Sequence, residues 1–153
     1  MEGIETPKTI ASGAAIISAT EPDWSRELKP AFTWAPGKSL LASLRSYERW
    51  QAERNPIALI LRMVAVLRHR FWTVITGADI PLGTQIGGGL LLPHPNGVVI
   101  HPAAVVGPNC LIFQQVTLGV GSTRAPIIGG HVDMYPSGHP TLDGQSISAS
   151  SVG

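Results

Sequence analysis

Aliphatic residues recur every six positions through the middle of this chain, and few backbone geometries accommodate that period. They fall at Ile80, Ile86 and Leu92 and, after a slip of two residues, at Ile100, Val106, Ile112 and Leu118. The position four further on is mostly small or β-branched: Thr84, Ala104, Cys110 and Val116. A buried helix face repeats near 3.6 residues and a strand near two, so a sustained period of six predicts short strands wound around a prism, each coil stacking its aliphatics on the next. The slip falls in Pro93-His94-Pro95-Asn96-Gly97, so the pattern breaks around an ionisable side chain.

The 153 residues suffice for one domain with a real core. Seventeen glycines and thirteen prolines, with only 14% charged residues, suit a turn-rich β architecture. A net charge of +1 argues against a nucleic-acid binder driven by phosphate neutralisation. Six arginines lie between Arg45 and Arg70, whereas after Asp79 only Arg124, Asp133 and Asp143 are charged. The repeat thus carries little charge to keep it soluble alone, and copies are expected to associate. The single cysteine excludes an internal disulfide and suits a reducing compartment; Cys110 occupies a small inward position and reads as packing. No secretory signal is visible, and Arg62, Arg68, His69 and Arg70 interrupt the apolar run from Pro56 to Thr76, so no membrane partner is expected.

Residues 1–37 lack periodicity, with Trp24 and Trp34 as anchors, and predict a loosely ordered segment. Leu40, Leu41, Leu44 and Tyr47 predict a helix over Ser39 to Arg54. Asn55-Pro56 ends it and opens a second helix to about Ile75, apolar on most sides and in need of cover from the first helix or a neighbouring subunit. Gly77 stops that helix. Beyond Asp133 the hexads fail: Leu142, Ile147 and Val152 lie five apart, which predicts an irregular tail over 135–153 and a chain cut short or changed in reading frame near Met134.

His94 is the leading catalytic candidate. Prolines stiffen its backbone on both sides, it should point outward, and an imidazole exchanges a proton near neutral pH, as an attacking hydroxyl requires. Asp79 precedes the inward Ile80 and also faces outward. One circuit of three hexads takes about eighteen residues, so Asp79 and His94 can meet on successive coils or across a subunit boundary, where a carboxylate would fix the imidazole tautomer. His94, His101, His131 and His139 match no compact ligand spacing, and no metal site is expected.

Four segments carry a family resemblance: Gly77-Ala78-Asp79-Ile80-Pro81, Ile86-Gly87-Gly88-Gly89, His94-Pro95-Asn96-Gly97-Val98-Val99-Ile100 and Gln114-Gln115-Val116-Thr117-Leu118-Gly119. Over residues 57–134 the chain resembles the serine O-acetyltransferases of the hexapeptide-repeat acyltransferase superfamily. The resemblance implies a mainly β fold, a left-handed parallel β-helix preceded by two α-helices. It also implies a cytoplasmic homo-trimer with active sites between subunits, transferring acetyl from acetyl-CoA to L-serine to give O-acetylserine for cysteine synthesis. His94 matches the general base, Asp79 the carboxylate that orients it, Arg124 a substrate-binding arginine and Gly119 part of the acetyl-CoA groove. The chain departs from the family where Pro93 replaces an acidic residue before the histidine and Ala125 follows Arg124 in place of a histidine. These departures leave open a sugar O-acetyltransferase, and the broken repeat leaves open a non-catalytic β-helix scaffold.

Overall fold

The computed structural model describes residues 17–30, 32–120, 124–136 and 147–148. Helix α1 spans Pro36–Gln51 and α2 spans Pro56–Thr76. α1 opens three residues before the expected Ser39 because Pro36 occupies its first turn, where a missing N–H costs nothing. At the junction, Asn55 Oδ1 accepts from the Ala58 N–H at 2.7 Å, and Gly77 closes α2 in the left-handed region (φ 65°) with its N–H on Thr73 O. α2 turns Ala58, Ala65, His69 and Thr76 inward, while α1 contributes Leu40, Leu41 and Leu44 to the core.

Short strands follow: β1 (Gln85–Ile86), β2 (Val99–Ile100), β3 (Val105–Val106), β4 (Leu111–Ile112), β5 (Thr117–Leu118), β6 (Ile127–Ile128), β7 (Asp133–Tyr135) and β8 (Ile147–Ser148). Every pairing is parallel. One sheet joins β2 to β5 and is extended by a bridge from Asp79 to Val99; a second has the order β1-β3-β6; the third has the order β4-β7-β8, with Leu91 bridged to Leu111. From Asp79 to β7 the chain visits these sheets in fixed rotation.

From β1 to β6 the second residue of each strand is buried and the first is not, which converts the six-residue period into inward columns. Ile86 registers on Val106 and Val106 on Ile128, Ile100 registers on Leu118, and Ile112 registers on Met134. Thr84, Ala104, Cys110 and Val116 fill the narrow positions between them and are also buried. Paired strands lie 18 residues apart from Val99 to Thr117, 20 from Gln85 to Val105 and 22 from Val105 to Ile127. The extra residues are taken up in the turns.

Within the segment expected to be loosely ordered, residues 17–30 form a strap across the corner between the second and third sheets. Asn109, held at φ 60°, anchors it: its Oδ1 accepts from Asp23 N–H and its Nδ2 donates to Ser18 O and Glu21 O, all at 2.7 Å. Asparagine tolerates this left-handed conformation, which aims its amide at the strap. Glu27 Oε1 accepts from the N–H groups of Gly89 (2.8 Å) and Leu90 (3.2 Å). Arg45 holds Glu27 through two nitrogens and also donates to Ile86 O and Gly87 O at 2.8 Å. In the segment expected to be an irregular tail, Ile147–Ser148 pairs with β7; residues 137–146 and 149–153 lie outside the described ones.

Candidate active site

His94 sits in the turn that carries the chain from the third sheet to the first. That turn is clamped from below and above: Gly97 N–H donates to Gly77 O at 2.9 Å, and Gln115 N–H donates to Asn96 O at 3.0 Å. Gly97 and Gln115 both take positive φ (68° and 59°), which lets the backbone reverse within the space between coils. Pro95 is buried and accepts from Val98 N–H through its carbonyl, whereas Pro93 and His94 are exposed. Gly37, near the start of α1, fits against the carbonyl of Leu92, where a Cβ would meet that oxygen at 2.3 Å. Beside it a cavity of about 290 Å³ is lined by Trp34, Gly37, Lys38, Leu92 and Pro93.

Asp79 lies directly beneath this corner. Its N–H donates to Val98 O (2.8 Å) and its carbonyl accepts from Ile100 N–H (2.9 Å), so the exposed carboxylate belongs to the strand position under Val99. The two candidates thus share one corner. Among the described residues no hydrogen bond or ion pair joins the Asp79 side chain to His94 within one chain. A cleft of about 320 Å³ beside Asp79 is lined also by His69, Arg70 and Thr73 of α2.

Arg124 and Gly119 stand elsewhere. Both belong to the turn from the first sheet to the second, between β5 and β6, and Arg124 is exposed without an ion pair among the described residues. One chain therefore presents His94 and Asp79 at one corner and Arg124 and Gly119 at another. Residues 121–123 of that turn lie outside the described ones. Among the described residues no group of three His, Cys, Asp or Glu side chains is placed to hold a metal ion.

Three features of the site escaped the sequence reading. Phe113 lies above His94, with ring centroids 6.5 Å apart, and stacks on Tyr135 at 4.7 Å with an interplanar angle of 18°. The signal was available, since Phe113 and Tyr135 are separated by the same 22 residues as the paired Leu111 and Asp133. Gln114, in the same turn, has a buried Oε1 without a hydrogen-bond partner among the described residues. His69 is the third. It is buried in α2 and donates from Nε2 to Ile80 O at 2.9 Å, while Nδ1 faces Ser43 Oγ at 3.2 Å. A carbonyl only accepts, so the proton of the neutral ring is on Nε2. Burial pushes its pKa below the ordinary 6.5 and nearby Arg70 adds to this, against the opposing Ile80 hydrogen bond and Asp79 charge. His69 thereby pins α2 to the residue that follows Asp79.

No family model matches the chain. In sequence it is similar to the serine acetyltransferase of Synechococcus elongatus, 34% identical over 112 residues that make up 73% of this chain and 43% of that protein. In structure it is similar to soybean serine acetyltransferase complexed with serine, with 30% identity and a TM-score of 0.51 over 72% of this chain and 47% of that one. It shares its fold with a serine acetyltransferase in complex with CoA, with 24% identity and a TM-score of 0.52 over 67% of this chain and 41% of that one. The chain spans under half the length of each of these proteins. In sequence and in fold, this chain is homologous to the serine acetyltransferases.

Proposed function

We propose that this chain carries the catalytic coils of a serine O-acetyltransferase that moves acetyl from acetyl-CoA to the hydroxyl of L-serine, giving O-acetylserine for cysteine synthesis. The coils form a left-handed parallel β-helix, and the single, buried Cys110 suits work in a reducing cytoplasm. The observation that supports the reading most is the hydrogen bond from Gly97 to Gly77, which stacks the His94 turn on the segment bearing Asp79.

A thioester is already activated, so the protein must supply a base, charge stabilisation and alignment. His94 accepts the proton of the serine hydroxyl as its oxygen attacks the acetyl carbonyl. The resulting oxyanion is met by backbone N–H groups of the glycine-rich turns. Collapse breaks the carbon–sulfur bond, and the proton held by His94 passes to the CoA thiolate. Asp79 orients the ring and stabilises its charged form.

Arg124 supplies a cation for the serine carboxylate and Gly119 a side-chain-free stretch for the pantetheine arm. Since these residues stand at a different corner from His94 and Asp79, a site using all four needs two copies. A head-to-tail contact that closes into a ring provides this, and the resemblance to the serine acetyltransferases implies a ring of three. Relatives with serine and with CoA bound support the choice of both substrates.

A second reading keeps His94 and replaces serine by a sugar. Pro93 and Ala125 offer no charge for an amino acid, and the Phe113–Tyr135 stack beside His94 offers a flat apolar face of the kind that sugar rings cover. Thiol release from acetyl-CoA, measured with L-serine, with a panel of sugars and with neither, separates the two. Serine-dependent release that disappears in His94→Ala is the expected result. Release that survives in His94→Ala would overturn the assigned base, and sugar-dependent release alone would overturn serine as acceptor.

A further inference from the structure

Prolines on both sides stiffen the backbone of His94 but leave its side chain two torsions, with staggered wells at χ1 and a broad range at χ2. The side chain is exposed, and among the described residues no hydrogen bond reaches either ring nitrogen. The aromatic ring that meets it is that of Phe113, 6.5 Å away between centroids and tilted by 34°. The ladder of the third sheet brings the two together. Leu91 is bridged to Leu111 and Leu111 registers on Asp133, so two residues further on Pro93, Phe113 and Tyr135 follow one another up the stack. Phe113 is itself held in place. Its N–H donates to Met134 O at 3.0 Å, Tyr135 stacks on its ring at 4.7 Å, and both rings are half-buried. Two residues later Gln115 N–H donates to Asn96 O, which closes the His94 turn onto the coil that carries Phe113.

A general base works only when a ring nitrogen points at the proton to be taken, and a displacement of about 1 Å can cost on the order of a hundredfold in rate. A polar neighbour orients an imidazole by occupying one of its nitrogens. A phenyl ring limits the swing by contact and occupies neither, so one nitrogen stays open to the acceptor hydroxyl and the other to a carboxylate. We propose that Phe113, backed by Tyr135, is the positioning residue that sets the ring of His94 for proton transfer. In this role Phe113 acts through His94, so its effect falls on kcat and not on KM. The role rests on the reading of His94 as the base in acetyl transfer to L-serine.

The test is thiol release from acetyl-CoA over a range of L-serine concentrations for wild type, Phe113→Ala, Phe113→Tyr and Tyr135→Ala. Phe113→Ala should lower kcat by about 10–100-fold and leave KM for L-serine within about twofold, whereas Phe113→Tyr, which restores the ring, should return most of the rate. Tyr135→Ala removes only the backing and should give a smaller fall. Phe113→Leu, which keeps bulk and loses the flat face, serves the same comparison should the far-UV circular dichroism of Phe113→Ala show that it is unfolded. The imidazole C–H resonances of His94, assigned by their loss in His94→Gln, report the contact without turnover. The ring current of residue 113 should displace them in wild type and in Phe113→Tyr, and in Phe113→Ala they should move towards their positions in free histidine. With an active wild type, an equal kcat in Phe113→Ala would overturn this role alone, as would a rise confined to KM, which would make Phe113 part of an acceptor-binding wall. Resonances unmoved by Phe113→Ala would overturn the contact. No thiol release by wild type with L-serine would overturn the proposed reaction and this role with it.

Discussion

His69 Nε2 lies 2.9 Å from the carbonyl oxygen of Ile80, so one imidazole ties the long second helix to the first inward position of the coils. Its pKa is held below the ordinary 6.5, chiefly by burial. Above pH 6.5 the ring is neutral in both folded and unfolded chains, and its stabilising contribution is fully present. As the pH falls below 6.5 the unfolded chain takes up the proton first, and stability is lost until the folded ring also protonates. Urea midpoints should therefore drop between pH 7 and pH 5, and His69→Gln should flatten that drop. An identical slope in both proteins would remove His69 as its cause.

Arg45 joins the strap, the helices and the coils through Glu27, Glu48, Ile86 O and Gly87 O. Arg45→Met strands Glu27 in a site where its side chain is only 10% exposed, at a cost of about 2–4 kcal/mol. Glu27→Gln keeps an oxygen for Gly89 and Leu90 and should cost less. A double-mutant cycle by chemical denaturation should show coupling above about 1 kcal/mol; additive losses would show that the pair does not act as a unit.

Two glycines separate the strap from the stack. A Cβ on Gly130 would lie 1.8 Å from Ala19 O, an atom of the strap, whereas one on Gly107 would lie 2.5 Å from Gly129 C, an atom of the next coil. Gly130→Ala should expose residues 17–23 to limited proteolysis and leave coil amides protected from hydrogen exchange. Gly107→Ala should lower protection through the coils. The reverse pattern would mean that the strap, and not coil-to-coil contact, limits the stability of the stack.

Cys110 is buried with Sγ 3.2 Å from Gly129 O, and burial raises its thiol pKa. A thiol reagent should modify it only after denaturation. Rapid stoichiometric labelling of the native protein would place Cys110 on the surface and undo the inward column to which it is assigned.

If Asp79 orients His94, Asp79→Asn should lower kcat by about 10²–10⁴-fold with a small change in KM for L-serine, because an amide stabilises neither the tautomer nor the charged ring. A change confined to KM would make Asp79 a substrate-binding residue.

Much of this architecture was legible because a six-residue period constrains every coil alike. Ile80, Ile86, Leu92, Ile100, Val106, Ile112 and Leu118 are all buried, and the two-residue slip coincides with the turn that carries His94. Asn55 and Gly77 announced both ends of α2 through local chemistry. The strap left no such trace. Its attachment depends on backbone groups of Ser18, Glu21 and Asp23 meeting one asparagine more than eighty residues away, and backbone donors look alike in every sequence. His69 was obscured for a related reason: a histidine among arginines reads as one more polar interruption until the fold shows that it shares a face with Ala58, Ala65 and Thr76.

The unequal circuits have a consequence for how such a molecule can change. Strand register is kept while the circuits from one paired residue to the next run from 18 to 22 residues, and all the variation is absorbed at the bends. Residues inserted at a bend alter what the protein presents to its surroundings without displacing a single inward aliphatic. Recognition and architecture are thus encoded in separate stretches of the same winding, so the first can be rewritten while the second stays fixed.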